Sequence, residues 1–145
     1  MANIPPNRSS APQIHPMIYV IDDDVAVLKS LRFLLETEGF DVRAFSSGLA
    51  LLESSLLHDA DCLVLDYKMV GIDGLELSSR LRGLGIDTPI ILITGHPDAN
   101  IRTKASFAGV GQVVLKPDLQ DNLVECVRNA IDSHMRPPEG GNPPP

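Results

Sequence analysis

Met17-Ile18-Tyr19-Val20-Ile21-Asp22-Asp23-Asp24 is an apolar run that stops abruptly at three carboxylates. The run is continuous rather than alternating, which is how a strand reads when both faces of its sheet are covered. Outward along the chain the same form returns. Cys62 to Leu65 stops at Asp66, Pro89 to Ile93 stops at Thr94, and Gln112 to Leu115 stops at Lys116-Pro117. A fifth run, Val42 to Phe45, reads as a further strand.

Helical patterns separate these runs. Val27, Leu28, Leu31, Leu34 and Leu35 mark a first helix that Gly39 stops. A short second helix is predicted over Ala50 to Leu57. A third follows Gly74, with Leu77, Leu81 and Leu84 on one face. Ile101, Ala105 and Ala108 mark a fourth, stopped by Gly109, and Leu119, Leu123, Cys126, Val127, Ala130 and Ile131 mark a fifth. Strand and helix in alternation predict an α/β fold: a five-stranded parallel sheet, doubly wound and flavodoxin-like, with strand order 2-1-3-4-5. Its crevice lies where the order reverses, at the carboxyl ends of strands 1 and 3. Those ends carry Asp22-Asp23 and Asp66.

Carboxylates that converge repel one another, and burial makes each harder to ionise. A hard divalent cation resolves that conflict. Mg²⁺ prefers oxygen ligands and suits Asp22, Asp23, Asp66 and the backbone carbonyl of Lys68, two residues past Asp66. Such a site draws in phosphate, and a carboxylate oxygen can then act as the nucleophile of phosphoryl transfer. Asp66, alone at the end of a central strand, is the candidate nucleophile. Lys116 reaches in from strand 5 as a point charge. Thr94 could donate its hydroxyl to a phosphoryl oxygen, and Gly95 beside it leaves room for an incoming donor group. Asp24 is read instead as the N-cap of the first helix.

These residues, in this order and spacing, resemble the receiver domain of a two-component response regulator. The resemblance runs from Met17 to about Ser133 and rests on Asp22-Asp23, Asp66-Tyr67-Lys68-Met69 with Asp73-Gly74, Thr94-Gly95 and Lys116-Pro117. The stretch Ile93-Thr94-Gly95-His96 looks most like receivers of the FixJ type. The resemblance implies that Asp66 accepts a phosphoryl group from a sensor histidine kinase or a histidine phosphotransfer protein. It implies that Asp22, Asp23, Asp66 and the Lys68 carbonyl hold Mg²⁺, that Thr94 and Lys116 contact the aspartyl phosphate, and that Lys116-Pro117 carries a cis peptide. The face built from helix 4, strand 5 and helix 5 then repacks to change affinity for an output protein that the sequence does not identify. The resemblance leads to the expectation of a monomer or a weak dimer through that face. It also implies a phosphoacceptor signalling domain rather than an enzyme, apart from self-phosphorylation and slow autodephosphorylation.

Three positions depart from the family pattern. Val70 stands where proline usually follows the methionine, which is expected to loosen that loop. Val113 stands where an aromatic usually swings inward; with Val70 it lends modest support to the alternative of a phosphorylation-independent binding module. Asp118 replaces a common phenylalanine. Lys68 and His96, each two residues past a site residue, border the path of hydrolytic water in receivers. They either tune the phosphoryl lifetime or, for His96, form plain surface loop.

Bulk properties narrow the classes further. The 145 residues suit one domain. Residues 1–16 read as a disordered arm, 17–135 as the receiver, and 136–145, rich in Pro and Gly, as a disordered tail. A net charge of −7 argues against direct DNA binding. No membrane segment or signal peptide is evident, and Cys62 and Cys126 read as free buried thiols in a reducing cytoplasm. The fifth helix is expected to lead into the Pro-rich tail without an output domain, as for a stand-alone receiver or a part of a longer regulator. Asp22-Asp23-Asp24 in place of glycines excludes a Rossmann or P-loop nucleotide site. Lys68 argues against haloacid-dehalogenase-type phosphatases, which place a second Asp there.

Overall fold

Register in the sheet brings the charged strand ends level. The computed structural model describes residues 15–95, 98–116 and 119–135. The strands are Met17–Ile21 (β1), Asp41–Phe45 (β2), Cys62–Asp66 (β3), Ile90–Thr94 (β4) and Gln112–Leu115 (β5). All pair in parallel, in the order β2-β1-β3-β4-β5. Ile21 lies beside Leu65, Asp66 beside Ile93, and Thr94 beside Leu115. The residues that follow Ile21 and Leu115 therefore emerge at the same sheet edge as Asp66 and Thr94.

The helices are Val25–Thr37 (α1), Gly48–Leu52 (α2), Gly74–Gly83 (α3), Ile101–Phe107 (α4) and Leu119–Met135 (α5). Side chains alternate across each strand, so the sheet divides the core in two. Ile18, Val20, Val64, Ile91 and Ile93 pack with Leu28, Leu31 and Leu35 of α1 and with Leu123, Val127 and Ile131 of α5. Tyr19, Ile21, Leu63, Leu65 and Leu92 pack on the other face with Leu51, Leu77, Leu81, Ile101 and Ala105. Both faces are thus dry, as the unbroken apolar runs required. Tyr19, the largest fully buried residue, satisfies its hydroxyl on the Leu56 carbonyl at 2.6 Å.

The second helix differs from expectation. It starts two residues early and ends at Leu52 instead of Leu57. Ser47 caps it by accepting the Ala50 amide at 3.0 Å. Ser54 then accepts the Leu56 amide at 3.0 Å, giving the backbone a local partner that competes with further helix. Gly39 and Gly109 do stop α1 and α4; both adopt positive φ, +100° and +86°, where an L side chain is strained. Cys62 and Cys126 are both free, but only Cys62 is buried, and burial pushes its thiol up to about 12. Cys126 is half-buried beside a groove with Pro89 and Gln112. Among the described residues, no helix is long and apolar enough to cross a membrane.

Candidate functional site

The ends of β1, β3, β4 and β5 contribute charged or polar groups to the crevice, and short bonds hold the carboxylates among them. Asp22 follows β1 and is 2% exposed; its Oδ1 accepts the Asp24 amide at 2.9 Å. Asp24 turns away and caps α1, accepting from the Ala26 and Val27 amides at 2.9 and 3.3 Å, as its position before the helix implied. Asp23 is exposed, and its Oδ2 accepts the Val70 amide at 2.8 Å. Asp66 closes β3 with 5% of its surface exposed, and the Lys116 ammonium stands 3.2 Å from its Oδ1. Thr94 is 1% exposed at the end of β4, one strand over from Asp66.

One carboxylate oxygen from each of Asp22, Asp23 and Asp66 lies within 4.8 Å of the other two. The residues singled out from strand ends are therefore brought together, with Lys116 against Asp66. The electrostatics follow. Burial pushes the Asp22 carboxyl up to about 6; the Asp24 amide opposes this, and the neighbouring Asp66 charge adds to it. Burial also raises Asp66, against the hydrogen bond and charge of Lys116. Three converging carboxylate oxygens make a hard-donor set that suits Mg²⁺, and for Asp22 and Asp66 a divalent cation would offset the cost of burying charge.

Around the site, three details were not legible beforehand. Gly74 is more than the start of α3: a Cβ there would sit 2.6 Å from the Asp66 carbonyl oxygen and 2.6 Å from Leu92 Cδ1. Its amide also donates to the Tyr67 carbonyl at 2.9 Å, folding the loop back onto β3. The space expected beside Gly95 is used by the chain itself, since a Cβ there would meet Lys116 Cδ at 3.4 Å. The lysine stem lies across the glycine on its way to Asp66. The Val70 loop is tied rather than loosened, because the Val70 N–H donates a hydrogen bond to Asp23 that a proline could not make. Only a proposed partner for that amide could have signalled this in the sequence.

Lys68 is exposed, with its ammonium 4.8 Å from the centre of the Tyr67 ring. Val113 is buried under α4 in the cluster that holds Ile101 and Ala105. His96, Pro117 and Asp118 lie outside the described residues, and with them the Lys116-Pro117 peptide; the two terminal segments, 1–14 and 136–145, do as well.

Residues 18–128 match the model of the response regulator receiver domain. The chain belongs to the response regulator receiver family. It is 38% identical over 114 residues to the transcriptional regulatory protein FixJ of Bradyrhizobium diazoefficiens, covering 79% of this chain and 56% of that protein. It is 35% identical over 128 residues to the response regulator protein TodT of Pseudomonas putida, covering 88% and 56%. The chain thus spans about half the length of the curated relatives it matches. Among solved structures, FixJ-N superposes with a TM-score of 0.73 at 31% identity, covering 83% of this chain and 96% of that one. A receiver domain from Clostridium thermocellum gives 0.75 at 26% identity, covering 82% and 96%. The expected fold and family are both borne out.

Proposed function

We propose that this receiver domain accepts a phosphoryl group on Asp66 from a phosphohistidine, with Mg²⁺ held by Asp22, Asp23, Asp66 and the Lys68 carbonyl. The observation that carries the reading is the Lys116–Asp66 pair at 3.2 Å inside a three-carboxylate cluster. A structural ion pair would not need two more carboxylates beside it. In the proposed step an Asp66 oxygen attacks phosphorus, a P–O bond forms, the P–N bond of the donor breaks, and the imidazole leaves. Mg²⁺ bound at the carboxylates supplies neutralising charge for the phosphoryl oxygens. Lys116 swings its ammonium from the free carboxylate to a phosphoryl oxygen, and the buried Thr94 hydroxyl donates to another. Asp22 and Asp23 would hold the cation side.

Aspartyl phosphate adds charge and acceptor oxygens at a sheet edge whose neighbours are β4 and β5. The proposed readout is altered protein binding on the α4–β5–α5 face, in a monomer or weak dimer. The donor is a sensor histidine kinase or a histidine phosphotransfer protein, and a cytoplasmic setting goes with free thiols at Cys62 and Cys126. The expectation of no direct DNA binding finds no support in the relatives, one of which is a transcriptional regulator by name. The proposal is therefore confined to phosphoryl acceptance and its effect on binding.

Incubation with acetyl phosphate and Mg²⁺, followed by intact mass measurement, tests this. A phosphate-sized gain that is absent without Mg²⁺ and absent in Asp66→Asn is expected. No gain in the wild-type chain would transfer the assignment to a phosphorylation-independent binding module.

A further inference from the structure

The bond between Asp23 and Val70 joins two segments far apart in sequence, the end of β1 and the loop after β3. Val70 N–H donates to Asp23 Oδ2 at 2.8 Å. The Val70 side chain is 83% exposed and packs on little, so its contribution here is the amide. Asp23 is itself exposed, and nothing in its burial would hold its carboxylate toward two others. Repulsion from Asp22 and Asp66 would turn an untethered aspartate outward into water. Yet its oxygen lies within 4.8 Å of theirs.

We propose that the Val70 amide is a positioning group for the cation site: it holds Asp23 by one oxygen so that the carboxylate stays with the cluster. A hydrogen bond to an ionised acceptor is among the stronger kinds, and it uses one of several lone-pair directions on the carboxylate. The remaining directions stay open to a metal. Because Asp23 is fixed beforehand, less side-chain freedom is lost when the ion arrives. The same bond ties the Asp66 loop to β1, so the nucleophile-bearing segment and the ligand pair move as one unit. The inference rests on the proposed Mg²⁺ site and adds the group that organises it.

The test is Mg²⁺ binding by calorimetry on the full chain, comparing Val70→Pro, which removes the amide proton, with Val70→Ala, which keeps it. Val70→Ala is expected to bind within about twofold of wild type, and Val70→Pro roughly threefold to tenfold more weakly, the range expected for loss of one charged hydrogen bond shared with solvent. Equal or tighter binding by Val70→Pro overturns the positioning role while leaving the cation site standing. A wild-type chain that does not bind Mg²⁺ overturns both.

A second measurement does not depend on the proline variant folding. The Val70 amide in a proton–nitrogen NMR spectrum of the metal-free protein is expected to be protected from exchange. That protection should be lost in Asp23→Ala and retained when Mg²⁺ is added to wild type. An amide that exchanges freely in the wild-type protein, or loses its protection on adding Mg²⁺, would sink the proposal.

Discussion

Lys116 and Asp66 meet at 3.2 Å across two strand ends, with the lysine stem lying on Gly95. The carboxylate is buried and the ammonium is half in solvent, so the two partners have unequal stakes. For Asp66 the lysine is the nearby cation that opposes burial. For Lys116 the pair is one contact among solvent contacts, and screening reduces its worth to overall stability.

Lys116→Met should separate these effects. Loss of a point charge beside the reacting oxygens is expected to slow phosphorylation by acetyl phosphate by about tenfold or more. The unfolding free energy at neutral pH should change by less than about 1 kcal/mol, as for other partly exposed pairs. Stopped-flow or timed mass measurements and urea unfolding give the two numbers. A variant that loses stability and keeps its rate would make the pair structural.

Asp22 predicts a pH dependence of stability in metal-free protein. Its folded value of about 6 lies above the ordinary 3.8, so the native state binds the proton more tightly than the unfolded chain. Its favourable contribution is full below about pH 4 and is lost as pH rises toward 6. A step from 3.8 to about 6 corresponds to roughly 3 kcal/mol at 1.36 per unit. Asp22→Asn should flatten this limb, and Mg²⁺ should restore stability most strongly above pH 6, where Asp22 is ionised. Unfolding midpoints between pH 4 and 7, with and without Mg²⁺, check the sign.

Much of this site was legible because chemistry sits at strand ends. Continuous apolar runs such as Leu63-Val64-Leu65 announce a doubly covered strand, and the polar residue that ends each run must then emerge at a common edge. Asp22, Asp66, Thr94 and Lys116 follow from that alone. What escaped notice depends on backbone partners distant in sequence. The Val70 amide looks like any other until Asp23, 47 residues earlier, is seen to accept from it. The short α2 escaped because Ser54 offers the chain a turn that apolar spacing does not reveal.

Gly74 yields a sharper test of how the Asp66 loop is held. A methyl group at this position meets the Asp66 carbonyl oxygen and Leu92 Cδ1 at 2.6 Å, and the carbonyl is backbone that cannot rotate away. Gly74→Ala should therefore destabilise the fold by about 2 kcal/mol or more, as overpacking against rigid neighbours does. It should also shift the Tyr67 environment, because the Gly74 amide bonds the Tyr67 carbonyl. Urea unfolding with tyrosine fluorescence reads both. A neutral alanine variant would mean that the α3 start yields more easily than its contacts imply.

Arg82 carries the last prediction, away from the acidic crevice. It lies near the end of α3, and its guanidinium donates to the carbonyls of Gly109, Ile86 and Thr88, at 2.6 Å for the shortest bond to Gly109 and 2.9 and 2.8 Å for the other two. Burial lowers its pKa, yet the planar fork satisfies three carbonyls at once. These carbonyls belong to the turn after α4 and to the segment leading into β4, so one side chain pins both. A lysine has one ammonium and no fork, so Arg82→Lys should behave almost as badly as Arg82→Met. Each is expected to lose about 2 kcal/mol, with faster amide exchange at Gly109 to Gly111. Phosphorylation of Asp66 by acetyl phosphate should persist at near wild-type rate, because the clamp sits at the opposite end of the strands from the carboxylates. Full stability in Arg82→Lys would show that the carbonyls are satisfied without the fork, and a collapse of phosphorylation with stability intact would tie this end of α4 to the site.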